Sequence, residues 1–436
     1  GAVVKVNTNS EVTRNTADED GGGMYLSGGS TSTVVSSSFK YNRATARGGG
    51  WYSTASVINA SSAQVDSNAA GGSGGGCYMS TVNAGSSTLT MSGSGTSVKQ
   101  NVAGENGGGI YVAQDVAVSL LSASINANNC TKSGGGMYVA RNVTVSLSSG
   151  SLSTNTAGID GGGLYASDSV FVSLTSTVID TNAASGSGAG MYLTNQFSLT
   201  LASCNVGDNV ASLSGGGMYV MGPSSTASVT DCTVTSNRAV QGHGGGWVVL
   251  KDTQLTMAAG RTVSNNAGQD GGAIWLGSSA CIVRNHTLSS NTAAGSGGGF
   301  YIANSTSSVL VEQSSTVANN RAANGGGGGA YLHRGTVSYT LRGSQMKNNS
   351  ASEHGGAVYA QGSGTAVTVS SSTVDANTAV KAGGGLYAAD GAVVKVNTNS
   401  EVTRNTADED GGGMYLSGGS TSTVVSSSFK YNRATA

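Results

Sequence analysis

Residues 134–160 read GGGMYVARNVTVSLSSGSLSTNTAGID, and the same pattern starts again at Gly161. Three signals lie inside this stretch. Gly134-Gly135-Gly136-Met137-Tyr138 sets a glycine triplet before an apolar–aromatic pair. Val143-Thr144-Val145-Ser146-Leu147-Ser148 alternates apolar and small polar residues, which is the period of a strand. Leu152-Ser153-Thr154-Asn155-Thr156-Ala157 puts an apolar residue three places before an Asn that is followed by x-Ala. No helical period of 3.6 runs through it. The unit predicts about three short strands separated by Gly, Asn and Ser corners.

The glycine motif recurs fifteen times, from Gly21 to Gly411, mostly 26 to 28 residues apart; steps of 33, 30 and 29 read as loop insertions. A unit of ~27 residues cannot bury an apolar face alone, whereas stacked units can. The predicted fold is therefore all-β: a parallel β-helix (β-solenoid) with about 27 residues and three short strands per coil. The hand expected of parallel crossovers is right. A single Pro in 436 residues leaves the backbone N–H groups available to a ladder between coils.

Residues 1–46 return letter for letter as 391–436. The expected organisation is one superrepeat, 1–390, of about fourteen coils, with 391–436 opening the next. At ~4.8 Å per coil the superrepeat advances roughly 67 Å as a single continuous solenoid, uncapped at both ends.

Alternation turns the residues flanking the motif Tyr inward and the aromatic ring outward. The outward column is Tyr25, Tyr52, Tyr78, Tyr111, Tyr138, Tyr165, Tyr192, Tyr219, Trp275, Tyr301, Tyr331, Tyr359, Tyr387 and Tyr415. Three readings stand: rings that hold coil register, a lateral contact surface, and a carbohydrate-stacking platform. The corner Asn of the third motif is Asn15, Asn42, Asn68, Asn101, Asn128, Asn155, Asn182, Asn209, Asn237, Asn291, Asn320, Asn349, Asn377, Asn405 and Asn432. Asn tolerates a left-handed corner and, in a stack, bonds to the Asn above and below it.

The motif pair is similar to the GGA-[ILV]/F-x-x-N repeats of chlamydial polymorphic outer-membrane proteins. Gly271-Gly272-Ala273-Ile274 and Gly355-Gly356-Ala357-Val358 carry the first element; Phe39 with Asn42 and Phe429 with Asn432 carry the second. Most copies have Gly for Ala and Val, Ile or Leu for Phe. The resemblance implies a β-helical surface protein and an adhesive role.

Chemistry is sparse. Net charge is −1 and charged residues make up 10%, which argues against nucleic-acid binding, and no apolar run is long enough to span a membrane. Cys204 and Cys232 each stand five before a corner Asn in consecutive coils, so they read as stacked thiols or as a disulfide. The four His share no slot. Asp18-Glu19-Asp20 reads as a solvated loop rather than a cation site. No coil concentrates carboxylates as a polysaccharide-cleaving site requires, so no enzyme, metal or cofactor is expected. Sequons at Asn59, Asn129, Asn142, Asn285, Asn304 and Asn348 are candidate N-glycosylation sites. The expected role is an extracellular or cell-surface filament shaft whose partners are other copies of itself, joined covalently or by end-to-end and lateral association. An adhesin touching glycans or a host surface is the alternative, with a carbohydrate-active enzyme third.

Overall fold

Every N–H in the Gly134 triplet has its acceptor one coil further on. Gly134 donates to Asp160 O at 3.0 Å, Gly135 to Gly161 O at 3.1 Å and Gly136 to Gly162 O at 2.9 Å. This is the parallel ladder that the repeat predicts, and it recurs throughout. The computed structural model describes residues 1–81, 87–303 and 306–435, and among them there is no helix. The chain forms two compact units, Gly1–Ala211 and Ser212–Ala436.

In the first unit the long strands stack in the order 3–6, 31–35, 57–61, 87–92, 116–121, 144–148, 170–175 and 197–202, all parallel. In the second unit the equivalent strands are 226–230, 254–258, 280–284, 307–312, 337–342, 365–370, 393–397 and 421–424. Each coil has four strands, not the three expected. In one coil they are Thr144–Ser148, Ser151–Ser153, Thr156–Ala157 and Leu164–Ser167. The extra one is the two-residue x-Ala step after the corner Asn, too short to show a period in the sequence. Residues 3–6, 11–13, 16–17 and 24–26 are strands in the first unit. Their identical counterparts at 393–397, 401–403, 406–407 and 414–416 are strands in the second.

Register places like over like. Val118 pairs with Val145 and Leu120 with Leu147, so each inward position continues as an apolar column. Met137, Val139, Val145, Leu147 and Leu152 are all buried, while the Thr and Ser between them face out. Each such side chain contributes about 1.5–3 kcal/mol on leaving water. The glycines serve close approach. Gly134 has φ +74, and a Cβ on Gly135 would lie 2.5 Å from the carbonyl oxygens of Thr156 and Gly162.

The corner Asn does not take the left-handed conformation; the residue before it does. Thr154 (φ 56), Thr181 (φ 55), Arg404 (φ 53) and Tyr431 (φ 57) precede Asn155, Asn182, Asn405 and Asn432. Such a φ costs an L residue about 1–2 kcal/mol, and a β-branched one most of all. Thr181 is exposed, and its only backbone ladder bond runs from its N–H to Gly207 O at 3.1 Å. Replacing Thr181 with Asn keeps that bond and lowers the strain. T181N is expected to slow amide exchange around residues 178–184 by about 0.5–1 kcal/mol of local stability.

Candidate functional site

Stacked side chains form the chemistry of this molecule, and three ladders carry most of it. The first is the corner Asn. Asn128 donates from its backbone N–H and from Nδ2 to Asn155 Oδ1, both at 3.0 Å, and its second Nδ2 proton goes to Val98 O at 2.9 Å. Asn155 repeats this onto Asn182 Oδ1 and Ile125 O. Both N–H protons and both oxygen lone pairs of each amide are used, which is full satisfaction for a buried Asn.

In the second unit the ladder passes from Asn237 to Asn265 and on to Asn291. Asn265 is absent from the sequence-derived set because Thr262 stands three before it, where the motif expects an apolar residue. The spacing of Asn-x-Ala alone finds it. Replacing Asn155 with Ala strands the Asn128 N–H and Nδ2 and the Ile125 carbonyl. A cost of about 3–5 kcal/mol is expected, read as loss of protection at the Asn128 amide.

The second ladder is aromatic. Tyr78, Tyr111, Tyr138 and Tyr165 stack with centroids 4.8–5.0 Å apart and ring planes within 8°. In the second unit Tyr301, Tyr331, Tyr359 and Tyr387 repeat the arrangement at 4.7–5.1 Å. Val248 occupies the column between Tyr219 and Trp275. The rings point away from the core as expected but are not an exposed aromatic surface. Tyr52 and Tyr78 are buried, the ring from Tyr111 to Tyr192 is half-buried, and Tyr25 is 54% exposed. Burial pushes the phenols of Tyr165 and Tyr301 up to about 12. Ring faces are spent on neighbouring rings, so an outside partner meets only edges. Arg47 lies over Tyr52 and Tyr78 at 5.0 Å from each centroid while its guanidinium binds Asp20.

The third ladder was not visible as a motif. In many coils the residue just before the glycine triplet offers a side-chain acceptor to the backbone N–H of the same position one coil on. Arg47 N–H donates to Asp20 Oδ1 at 3.0 Å, Ser133 to Asn106 Oδ1 at 3.1 Å, and Ser187 to Asp160 Oδ1 at 2.7 Å. In the second unit His243 donates to Ser214 Oγ, Asp270 to His243 Nδ1, Ser296 to Asp270 Oδ1, and Ala382 to His354 Nδ1. Asp20 is thus a ladder acceptor rather than a solvated loop residue, and His243 and His354 do share a slot. Ser214, His243 and Asp270 look like the parts of a nucleophilic triad in consecutive coils. They are wired otherwise: the Asp270 backbone N–H points at His243 Nδ1 at 3.3 Å, alongside the Asp270 carboxylate 3.4 Å from the same atom.

A fourth column stands five before the corner Asn. Ser372 Oγ donates to Ser370 O at 2.7 Å and Leu341 O at 3.2 Å; Cys204 Sγ donates to Ala202 O at 3.4 Å and Leu174 O at 3.3 Å. Cys232 Sγ donates to Thr230 O at 3.2 Å. Both cysteines stand in for Ser in this column as buried thiols, not as a disulfide. His286 occupies the same column. Its ring lies against Thr262, with Nε2 and Thr262 Oγ1 3.0 Å apart, and burial drives its pKa down to about 4.

Ion pairs also run from coil to coil. Glu312 is clamped by Arg342 and by Arg284 (2.8 Å), which hold its carboxyl below the ordinary range. The sequon residues Asn59, Asn129, Asn142, Asn285 and Asn348 are exposed; Asn304 lies outside the described residues. Among the described residues no three His, Cys, Asp or Glu form a metal cluster, and no helix is long and apolar enough to cross a membrane.

A neutral buried His286 gives a pH test. The unfolded chain binds its proton near pH 6.5 and the folded chain only near 4. Stability is therefore complete above about pH 6.5 and falls as pH drops towards 4, by roughly 3 kcal/mol from this residue. The double variant T262V/H286S restores the residues these columns usually hold and should flatten the local profile, measured by amide exchange across residues 260–291.

The family described as a right-handed beta helix region matches residues 87–266 and 247–436. No curated protein and no solved structure matches the chain.

Proposed function

We propose, for a chain that belongs to the right-handed β-helix family, a mechanical role: it is shaft material for a long filament or fibre outside the cell or on its surface. One observation supports this most. The bonding of the coils is directed at their neighbours, through amide, aromatic and acceptor ladders repeated from coil to coil, and among the described residues no three His, Cys, Asp or Glu gather into a metal cluster. Interactions of this kind sum along a stack and yield stiffness and protease resistance rather than a localised site. The proposal assigns the chain no catalytic activity and no cofactor, and its partners are other copies of itself. The return of residues 1–46 at 391–436 in the same strands fits material built by repetition.

An adhesin like the chlamydial surface proteins is the second reading. What favours it is the 33-residue step from Gly74 to Gly107, which lengthens one coil as a presented loop does. Negative-stain microscopy of the source material separates the two. Uniform fibres labelled along their length by an antibody to this chain are expected. Short stalks that lose host-cell binding when residues 81–87 are shortened would favour the adhesin. Turnover of a glycan by the purified chain would overturn both.

A further inference from the structure

From the strand at 31–35 onward, the outer face of the long-strand sheet in the first unit is a lattice of mostly small, uncharged side chains, beyond the exposed Lys5 of the preceding strand. From the strand at 31–35 to the strand at 197–202, seven strands in register present three outward residues each. None of these is Lys, Arg, Asp or Glu. The middle column runs Thr33, Asn59, Thr90, Ser119, Ser146, Ser173, Thr200. Two large apolar side chains stand out of this plane, Leu121 at 52% exposure and Phe171 at 61%.

We infer that this face is a lateral interface that takes a second copy of the same chain, face to face. The inference rests on the coil geometry of the first unit and goes beyond the shaft reading.

Three features select that occupant. Size is the first: seven rungs at ~4.8 Å and strands of up to six residues at ~3.3 Å give about 650 Å² per partner. The pair therefore buries about 1,300 Å², above the ~1,000 Å² that marks a specific association. Charge is the second. A face that meets itself across a two-fold brings each residue on the axis near its own copy, which like charges forbid and hydroxyls allow. Shape is the third. A two-fold parallel to the stacking direction exchanges the first and third columns and leaves the middle column on the axis. Leu121 then meets Ala117 and Phe171 meets Thr175, large against small, because those residues share a strand. A second copy also repeats at the same ~4.8 Å, so contacts made at one rung recur at the next. Short side chains lose little rotamer freedom on pairing.

The test uses the full chain in solution. Sedimentation at about 100 μM, above the micromolar dissociation constant expected of a small interface, should show a dimer. Ser146→Asp places like charges together on the axis and should weaken association at least tenfold, with an unchanged circular-dichroism spectrum. Ser153→Asp, on the neighbouring sheet, should leave association intact. Ser173→Cys should form a covalent dimer under mild oxidation, because the two Ser173 positions meet on the axis. A glycan attached at Asn59 should block pairing. A wild-type monomer at this concentration, or a dimer indifferent to Ser146→Asp, would overturn the inference; so would polysaccharide binding that Ser146→Asp abolishes in a monomeric chain. None of these results depends on whether the native material is a filament.

Discussion

A parallel coil sets each residue over its own counterpart one turn away, and this single constraint organises the rest. Most backbone N–H groups find their carbonyls in the adjacent coil, so a side chain near the backbone stands ~4.8 Å from the side chain at the same place one coil on. What a column can hold is then decided by whether the group bonds to itself. The carboxamide is the best solution, since it donates and accepts at once; a buried chain from Asn42 to Asn182 has every amide atom engaged. Aromatic rings are a second solution because their faces stack. Hydroxyls, thiols and imidazoles are a third, through an acceptor lone pair close to Cβ.

How much of this was legible in the sequence follows from the same rule. Columns occupied by one residue type announce themselves, which is why the Asn and Tyr positions were readable. Columns held by a shared function were not. Asp20, Asn106, Ser133 and His243 have no common property in a composition, yet each accepts an N–H from the next coil. The position of left-handed strain was hidden for a different reason. Thr154 and Thr181 hold a conformation expected of Gly or Asn because the Asn bonds on their C-terminal side fix the corner. Tertiary bonding there outweighs local preference. The fourth strand, two residues long, left no periodic trace, and Asn265 escaped because the usual apolar residue before it is Thr262.

Departures from the pattern come in compensated groups. Thr262 removes core volume, and His286, in contact with it, returns volume from the column where other coils place Ser or Cys. The ring arrives with a polar edge; Nε2 finds Thr262, and Nδ1 stays buried without a partner. Tyr339 is a comparable case, a fully buried phenol packed edge-on to Phe300, over a coil whose inward position holds only Ala330. In both places a volume deficit in one column is met from another, and the cost is an unsatisfied polar atom.

Such exchanges bear on function. The repeated wiring engages groups that could otherwise act in chemistry: Nδ1 of His243 faces a backbone N–H, and the phenol rings spend their faces on each other. Groups that point outward from the long strands stand apart from the asparagine and aromatic ladders. From the strand at 31–35 to the strand at 197–202 the first unit carries there hydroxyls, mostly small apolar groups and two protruding side chains in place of charge. The partner proposed for that sheet face is one that is flat and carries the same repeat, since its contacts then recur at every rung.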